Sequence, residues 1–248
     1  MNIIEYGKEN TDVILLLHGG GLSWWNYKEA AQLLAERFHV VIPILNGHGG
    51  CDAPFTTIEE QAEELIAYIE GTFGGHVLLL GGVSLGGQIL LEMLSQKGDL
   101  CSFAVVESAS VVPMKLPSKW MEALFAMSYP RMKKRWFSKL QFRSLHMKPA
   151  YFDDYYADTM KIAKADLCAF LTASGTYCRK ESLSRCNAKV LVAVGDKEQI
   201  RMKKSAKLIA AALRNAKMTV LEGLYHGELS LNHPKQYSEC LLKFINES

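Results

Sequence analysis

His76-Val-Leu-Leu-Leu-Gly-Gly-Val-Ser-Leu-Gly-Gly-Gln-Ile-Leu-Leu-Glu-Met-Leu-Ser-Gln96 combines an apolar run, a glycine-rich turn and an amphipathic segment. Val77 to Leu80 is a short, wholly apolar run, as expected of a strand buried on both faces of a parallel sheet. From Gln88 to Gln96, residues Ile89, Leu90, Met93 and Leu94 share one helical stripe. Between them lies Gly82-Val83-Ser84-Leu85-Gly86, with Ser84 at the apex. So tight a strand-to-helix turn strains its central residue and leaves no room for side chains two positions away, which Gly82 and Gly86 satisfy. Gly87 lets the helix pack close to the sheet. The turn lifts the Ser84 hydroxyl to a helix N-terminus, whose dipole favours developing negative charge. No Gly-Lys-Ser/Thr follows, so this is not a phosphate loop, and no Gly-x-Gly-x-x-Gly dinucleotide pattern is present.

The 248 residues suffice for one substantial core, and an apolar share of 49% is that of a globular chain. A formal net charge of +2 supplies no reason to invoke nucleic acid. The six cysteines, Cys51, Cys101, Cys168, Cys178, Cys186 and Cys240, are scattered without Cys-x-x-Cys or Cys/His ligand spacing. Reduced thiols in a cytoplasmic protein are therefore expected, with neither a disulfide framework nor a zinc site. No apolar run approaches the length of a membrane span, and the first residues carry no basic-then-apolar signal.

The chain alternates. Asn2 to Tyr6 is read as an edge strand, Asp12 to Leu17 as a buried strand, and Trp24 to about Arg37 as a helix. His39 to Ile44 is the next strand, and Thr56-Thr57 cap a helix running to Glu70. After the Ser84 unit, Leu100 to Val106 is another strand, closing at Glu107-Ser108-Ala109. This alternation predicts a doubly wound, mostly parallel sheet. From 111 to 188 it stops, in a segment rich in Met, Trp, Phe and Tyr that is read as helices broken near Pro117, Pro130 and Pro149. Seven cations (Arg131, Lys133, Lys134, Arg135, Lys139, Arg143, Lys148) and no acid fall in this segment between 131 and 148, so the remainder carries −5 against the total of +2. A solvated face explains such a run, and so does attraction of an anionic substrate or a membrane surface. Lys189 to Val194 resumes the strand pattern, followed by a helix over Ser205 to Leu213, a strand over Met218 to Leu221 and a last helix over Gln236 to Ile245.

The Gly-x-Ser-x-Gly turn in this setting resembles the nucleophile elbow of the α/β-hydrolase superfamily. The resemblance implies an α/β-hydrolase fold whose core is formed by 1–110 and 189–248, with 111–188 inserted before the last two strands as a helical lid. His18-Gly19-Gly20-Gly21, a glycine run after a strand, is similar to the family's oxyanion loop. Carried over, it makes the amides of Gly20 and Leu85 the oxyanion donors, with Gly21 a rival to Gly20. Asn46-Gly47-His48-Gly49 departs from the family's Asp-x-x-Gly-x-Gly turn by lacking the Asp, and His48 is expected to make a local hydrogen bond.

A serine hydroxyl needs a base, and the base needs a carboxylate to orient it. In the family these follow in the order Ser, acid, His. Of seven histidines only His226, in Tyr225-His226-Gly227 after the last strand, sits in the family's histidine loop. His233, beside Pro234, is read as a helix cap. The acid falls at the fourth position of Gly195-Asp196-Lys197-Glu198, which is Glu198, with Asp196 a rival one register away. The resemblance implies a serine hydrolase of small or medium carboxylic esters, acting through an acyl-enzyme with no metal or organic cofactor. The same residues would serve a thioesterase, an amidase or a C–C bond hydrolase, or a slow-turnover ligand receptor. The partner is a small-molecule carbonyl compound rather than nucleic acid, and the oligomeric state stays open.

Overall fold

The computed structural model describes residues 2–247. Seven strands form one sheet: β1 (Asn2–Tyr6), β2 (Val13–Leu17), β3 (His39–Ile44), β4 (Val77–Val83), β5 (Cys101–Glu107), β6 (Lys189–Gly195) and β7 (Ala216–Leu221). Their spatial order is β1-β3-β2-β4-β5-β6-β7, with β1 antiparallel to β3 and every other pair parallel. β4, which carries Ser84 at its end, is the middle strand.

Helices cover both faces, which is why the central strands tolerate no polar alternation. On β2, Leu15 and Leu17 enter one core while Ile14 and Leu16 enter the other. The first core packs against α2 (Ile58–Phe73) and α3 (Leu85–Gln96), through residues such as Ile58, Leu65, Ile89 and Leu94. The second packs against α1 (Lys28–Leu34), through Ala30, Ala31 and Leu34. Thr57 caps α2 by accepting the Glu60 amide at 3.0 Å, as its sequence predicts.

Between β5 and β6 the chain leaves the sheet for four helices, α4 (Ser118–Met132), α5 (Arg135–Ser144), α6 (Phe152–Lys161) and α7 (Lys164–Thr176). The chain then returns through α8 (Ile200–Ala212), α9 (Glu228–Asn232) and α10 (Pro234–Asn246). Three boundaries differ from the sequence reading. Trp24–Tyr27 forms a 3-10 turn ahead of a shorter α1, because Trp25 and Tyr27 are buried and pull the chain inward. Pro130 does not stop α4, which ends only two residues later, so the proline costs at most the last turn. α8 starts five residues before Ser205, the first turn carrying Arg201, Lys203 and Lys204 on a polar surface that an apolar pattern does not register.

The α3–β2 contact sets the tightest constraint in the fold. A Cβ placed on Gly86 would lie 2.2 Å from the Leu17 carbonyl oxygen and 2.6 Å from that of His18, both backbone atoms with nowhere to go. Gly86→Ala is therefore expected to destabilise the protein by ~3 kcal/mol or more, read as a lowered urea midpoint. A change below ~1 kcal/mol would show that this approach is not as close as described.

Candidate active site

Ser84 has φ 54° and ψ −114°, a conformation that side chains rarely adopt and that costs about 1–3 kcal/mol. It persists because the surrounding backbone over-determines it. Its amide donates to the Glu107 carbonyl at 2.9 Å, and its own carbonyl accepts the Gln88 amide at 3.0 Å. The hydroxyl is thereby held beyond the C-terminal edge of the sheet, at the start of α3.

His226 reaches that hydroxyl from the loop between β7 and α9. Its Nε2 lies 2.9 Å from Ser84 Oγ, and its Nδ1 lies 2.7 Å from Glu198 Oε2. A carboxylate only accepts, so Nδ1 carries the proton and Nε2 is left as the acceptor for the serine hydroxyl. The Glu198 side chain is fully buried, and its second oxygen accepts from the Gly195 amide at 2.8 Å and the Ser108 hydroxyl at 2.7 Å. Burial pushes this carboxyl up, but the His226 hydrogen bond and charge, aided by Gly195 and Ser108, hold it below its ordinary value. It is thus ionised at neutral pH. Asp196 makes no hydrogen bond to His226 among the described residues, and its Oδ1 is buried without a partner. The longer side chain at the later position is the one that reaches the imidazole.

The glycine loop after β2 lies beside the elbow. A Cβ on Gly19 would sit 3.7 Å from Ser84 Cβ, and one on Gly20 would sit 3.5 Å from Leu85 Cδ2 and from Phe170 Cδ2. Gly21, at φ +74°, faces nothing within 4 Å. His18 is fully buried, and burial together with nearby His48 pushes its pKa down to about 3, so the ring is neutral. Its Nδ1–H donates to the Gly19 carbonyl at 2.9 Å, while Nε2 accepts the Leu45 amide at 3.0 Å. In a trans peptide the carbonyl and the following N–H point in opposite directions. The Gly20 amide is therefore turned away from His18. His48 makes the expected local bond, to the Asn46 carbonyl at 3.0 Å, and stacks on Phe170 at 4.4 Å. His233 occupies the N-cap position of α10, but its side chain makes no capping bond; it faces Glu228 at 3.6 Å instead.

Two residues escaped the sequence reading. Ser108, at φ 55°, donates to Glu198 and accepts the Gly227 amide at 2.9 Å, so it ties the acid loop to the histidine loop. Glu107 is buried, and its carboxylate accepts the amides of Leu229 and Ser230 at 3.1 and 3.2 Å, holding the start of α9 behind His226. Burial pushes the Glu107 carboxyl up to about 7; Ser230 opposes this and the charge of Glu198 adds to it. The available signal was an acid and a hydroxyl closing an otherwise apolar strand, but nothing in the spacing says which loop they meet.

The helices between β5 and β6 are tied to this edge of the sheet. Trp25 Nε1 donates to Asp158 of α6 at 2.8 Å, Asp166 of α7 accepts the Phe55 amide at 3.0 Å, and Asn232 accepts the Lys148 amide at 3.0 Å. Trp25 and Tyr27 are both buried. His146, between α5 and α6, stacks on Tyr225 at 3.8 Å, next to His226. The His226 side chain itself is 42% exposed, so the imidazole is open to solvent. A cavity of about 900 Å³ lies elsewhere, between α2, α4 and α7, lined by Thr57, Glu122, Cys168 and Thr172. It touches none of the three residues in the Ser84–His226–Glu198 line.

A family model described as the alpha/beta hydrolase family matches residues 14–239. The chain belongs to that family. It is similar to the proline iminopeptidase PfmaB of Pestalotiopsis fici, at 24% identity over 246 residues, covering 89% of this chain and 87% of the relative. It is also similar to Lipase 1 of Psychrobacter immobilis, at 24% identity over 237 residues, covering 90% and 73%. Among solved structures, the thermophilic esterase from Thermogutta terrifontis superposes with a TM-score of 0.80 at 16% identity, covering 99% of this chain and 93% of that one. Membership makes the protein a hydrolase with a small-molecule substrate.

Glu107 carries a pH signature. An acid whose folded value of about 7 lies above its ordinary 4.5 contributes stability that is complete below about 4.5 and lost as pH rises through about 7. That difference corresponds to roughly 3 kcal/mol. Thermal melts of Glu107→Gln against the unaltered protein should show a gap that moves in the variant's favour between about pH 5 and pH 8. A gap that stays constant across that range contradicts the assignment.

Proposed function

We propose that the protein is a serine hydrolase that cleaves carboxylic esters of small or medium acyl groups, with Ser84 as nucleophile, His226 as general base and acid, and Glu198 as the orienting carboxylate. The continuous hydrogen-bonded line from Ser84 Oγ through His226 to Glu198 carries this conclusion. As Ser84 Oγ attacks the carbonyl carbon, its proton passes to His226 Nε2. The carbonyl oxygen becomes an oxyanion held by the amides of Leu85, at the free N-terminus of α3, and Gly20. Such donors are worth about 3–4 kcal/mol each. Gly20 is preferred to Gly21 because His18 grips the carbonyl of the same peptide and turns the Gly20 N–H outward. The ester C–O bond then breaks, and the alcohol leaves with the proton from His226. Water attacks the acyl-enzyme, giving a proton to His226; the acyl–Oγ bond breaks and the proton returns to Ser84.

In this reading the helices at 111–188 act as a lid that shapes the acyl site, supported by their ties to the cleft edge through Trp25, Phe55 and Asn232. The free thiols of all six cysteines support a reducing, cytoplasmic setting. A second reading, hydrolysis of an amide, draws on the relative named a proline iminopeptidase. The same residues would serve it, since only the leaving atom changes.

Active protein should label at Ser84 with a fluorophosphonate and turn over p-nitrophenyl esters at steady state. Ser84→Ala is expected to abolish labelling and lower kcat by ~10⁴-fold or more. Full esterase turnover in Ser84→Ala would refute the proposal, and labelling without turnover at any acyl length would favour a receptor. Faster release from amino-acid anilides than from esters would favour the amidase reading. Glu198→Gln should cost ~10³-fold or more in kcat, while Asp196→Asn should stay within ~3-fold. The reverse ranking would move the acid to Asp196.

A further inference from the structure

The helices that least resemble a finished surface are α4 and α5. Soluble proteins scatter large exposed apolar side chains singly, and a concentration of them marks an interaction surface. On α4, Trp120, Leu124 and Met127 recur at i, i+4 and i+7, which aligns them on one flank, with Trp120 71% and Met127 68% exposed. On α5, Trp136 and Leu140 repeat the spacing at 67% and 59% exposed. The two helices follow one another through Lys133 and Lys134 and pack together.

Charge identifies the occupant. No acid lies between Glu122 and Asp153, and Glu122 lines the cavity on the other flank of α4, 122 being a non-neighbour of the 120–124–127 stripe. Within the basic run, Lys133 is consumed internally, donating to the carbonyls of Thr159, Met160 and Ile162 at 2.8–2.9 Å. Arg135 pairs with Asp153 at 2.7 Å. Lys134, Lys139 and Arg143 form no ion pair among the described residues and are exposed. Tryptophan beside aliphatic side chains, rimmed by free lysine and arginine, is the composition of a segment that lies in a membrane interface.

We propose that the exposed faces of α4 and α5 dock on an anionic phospholipid surface, the tryptophans and aliphatic side chains entering the headgroup–acyl boundary while Lys134, Lys139 and Arg143 meet lipid phosphates. A second copy of the chain is a poor occupant, because a self-complementary contact would oppose like charges. Nucleic acid satisfies the cations but leaves Leu124, Met127 and Leu140 against sugar and water. No helix among the described residues is long and apolar enough to cross a membrane, so the attachment is peripheral. The docking goes beyond ester hydrolysis and does not depend on it.

The test is sedimentation of the full chain, as such and as Ser84→Ala, with phosphatidylcholine vesicles and with vesicles containing roughly one-third phosphatidylglycerol, at about 0.1 M salt. Both proteins should pellet with the anionic vesicles and not with the neutral ones, with tryptophan emission shifting to the blue. The combined Lys134→Glu, Lys139→Glu and Arg143→Glu variant should bind at least ~100-fold more weakly. Trp120→Ser with Trp136→Ser should lose the emission shift and bind at least ~10-fold more weakly. All five positions are exposed, and circular dichroism is the check that the variants fold. Absence of pelleting with anionic vesicles overturns the proposal, as does equal binding to neutral ones or binding unaffected by the substitutions. A dimer in light scattering that Trp120→Ser dissolves would instead assign the face to a second copy. Because Ser84→Ala is tested in parallel, failure of docking leaves the hydrolase assignment untouched, and the converse also holds.

Discussion

A carboxylate buried away from water is costly unless both of its oxygens find donors. Glu198 meets this condition with the Gly195 amide, the Ser108 hydroxyl and His226 Nδ1, and the remainder of the site depends on it. Remove any donor and the charge is under-solvated; keep all three and the carboxyl stays ionised below its ordinary range. The same bonds fix which ring nitrogen of His226 carries the proton. A single buried charge therefore sets the position of the acid loop and the tautomer of the base.

The donors come from different parts of the chain, and the sheet brings them to one level. Parallel pairing aligns Val83 with Glu107 and Glu107 with Ala193, so the elbow, the Glu107-Ser108 pair and the Gly195 loop emerge from the same edge. Ser84 hangs from the Glu107 carbonyl, Ser108 from the Ala193 carbonyl. Glu107 then grips the first amides of α9, and Ser108 grips Gly227. The end of β5 thus touches the serine, acid and histidine loops at once. Strain at Ser84 and Ser108, both with positive φ, is concentrated where these loops meet.

The helices between β5 and β6 obey a looser constraint. α6 and α7 are held by specific polar ties, Trp25 to Asp158 and Phe55 to Asp166, and α7 presents Phe170 to the glycine loop. α4 buries only Met121 and Met132, leaving much of its apolar surface to solvent. Within this segment α6 and α7 are thus tied to the sheet edge, while α4 is turned outward.

The fold was legible in the sequence because burial on two faces writes itself as uninterrupted apolar runs, and a strand-to-helix turn with no space writes itself as glycine. Ser84, His226 and Glu198 were singled out as candidates through the family resemblance, each lying just after a strand. Illegible were Ser108 and Glu107, since a hydrogen bond across ninety or more residues leaves no periodicity. That Glu198 rather than Asp196 meets the His226 ring likewise depends on side-chain reach around one tight loop, and the direction of the Gly20 amide depends on the carbonyl that His18 grips. Pattern records which face a residue prefers, and so the sheet, its covering helices and the three loops could be read from the chain alone. Direction and distance between loops are products of packing, so which groups meet is visible only in the folded molecule.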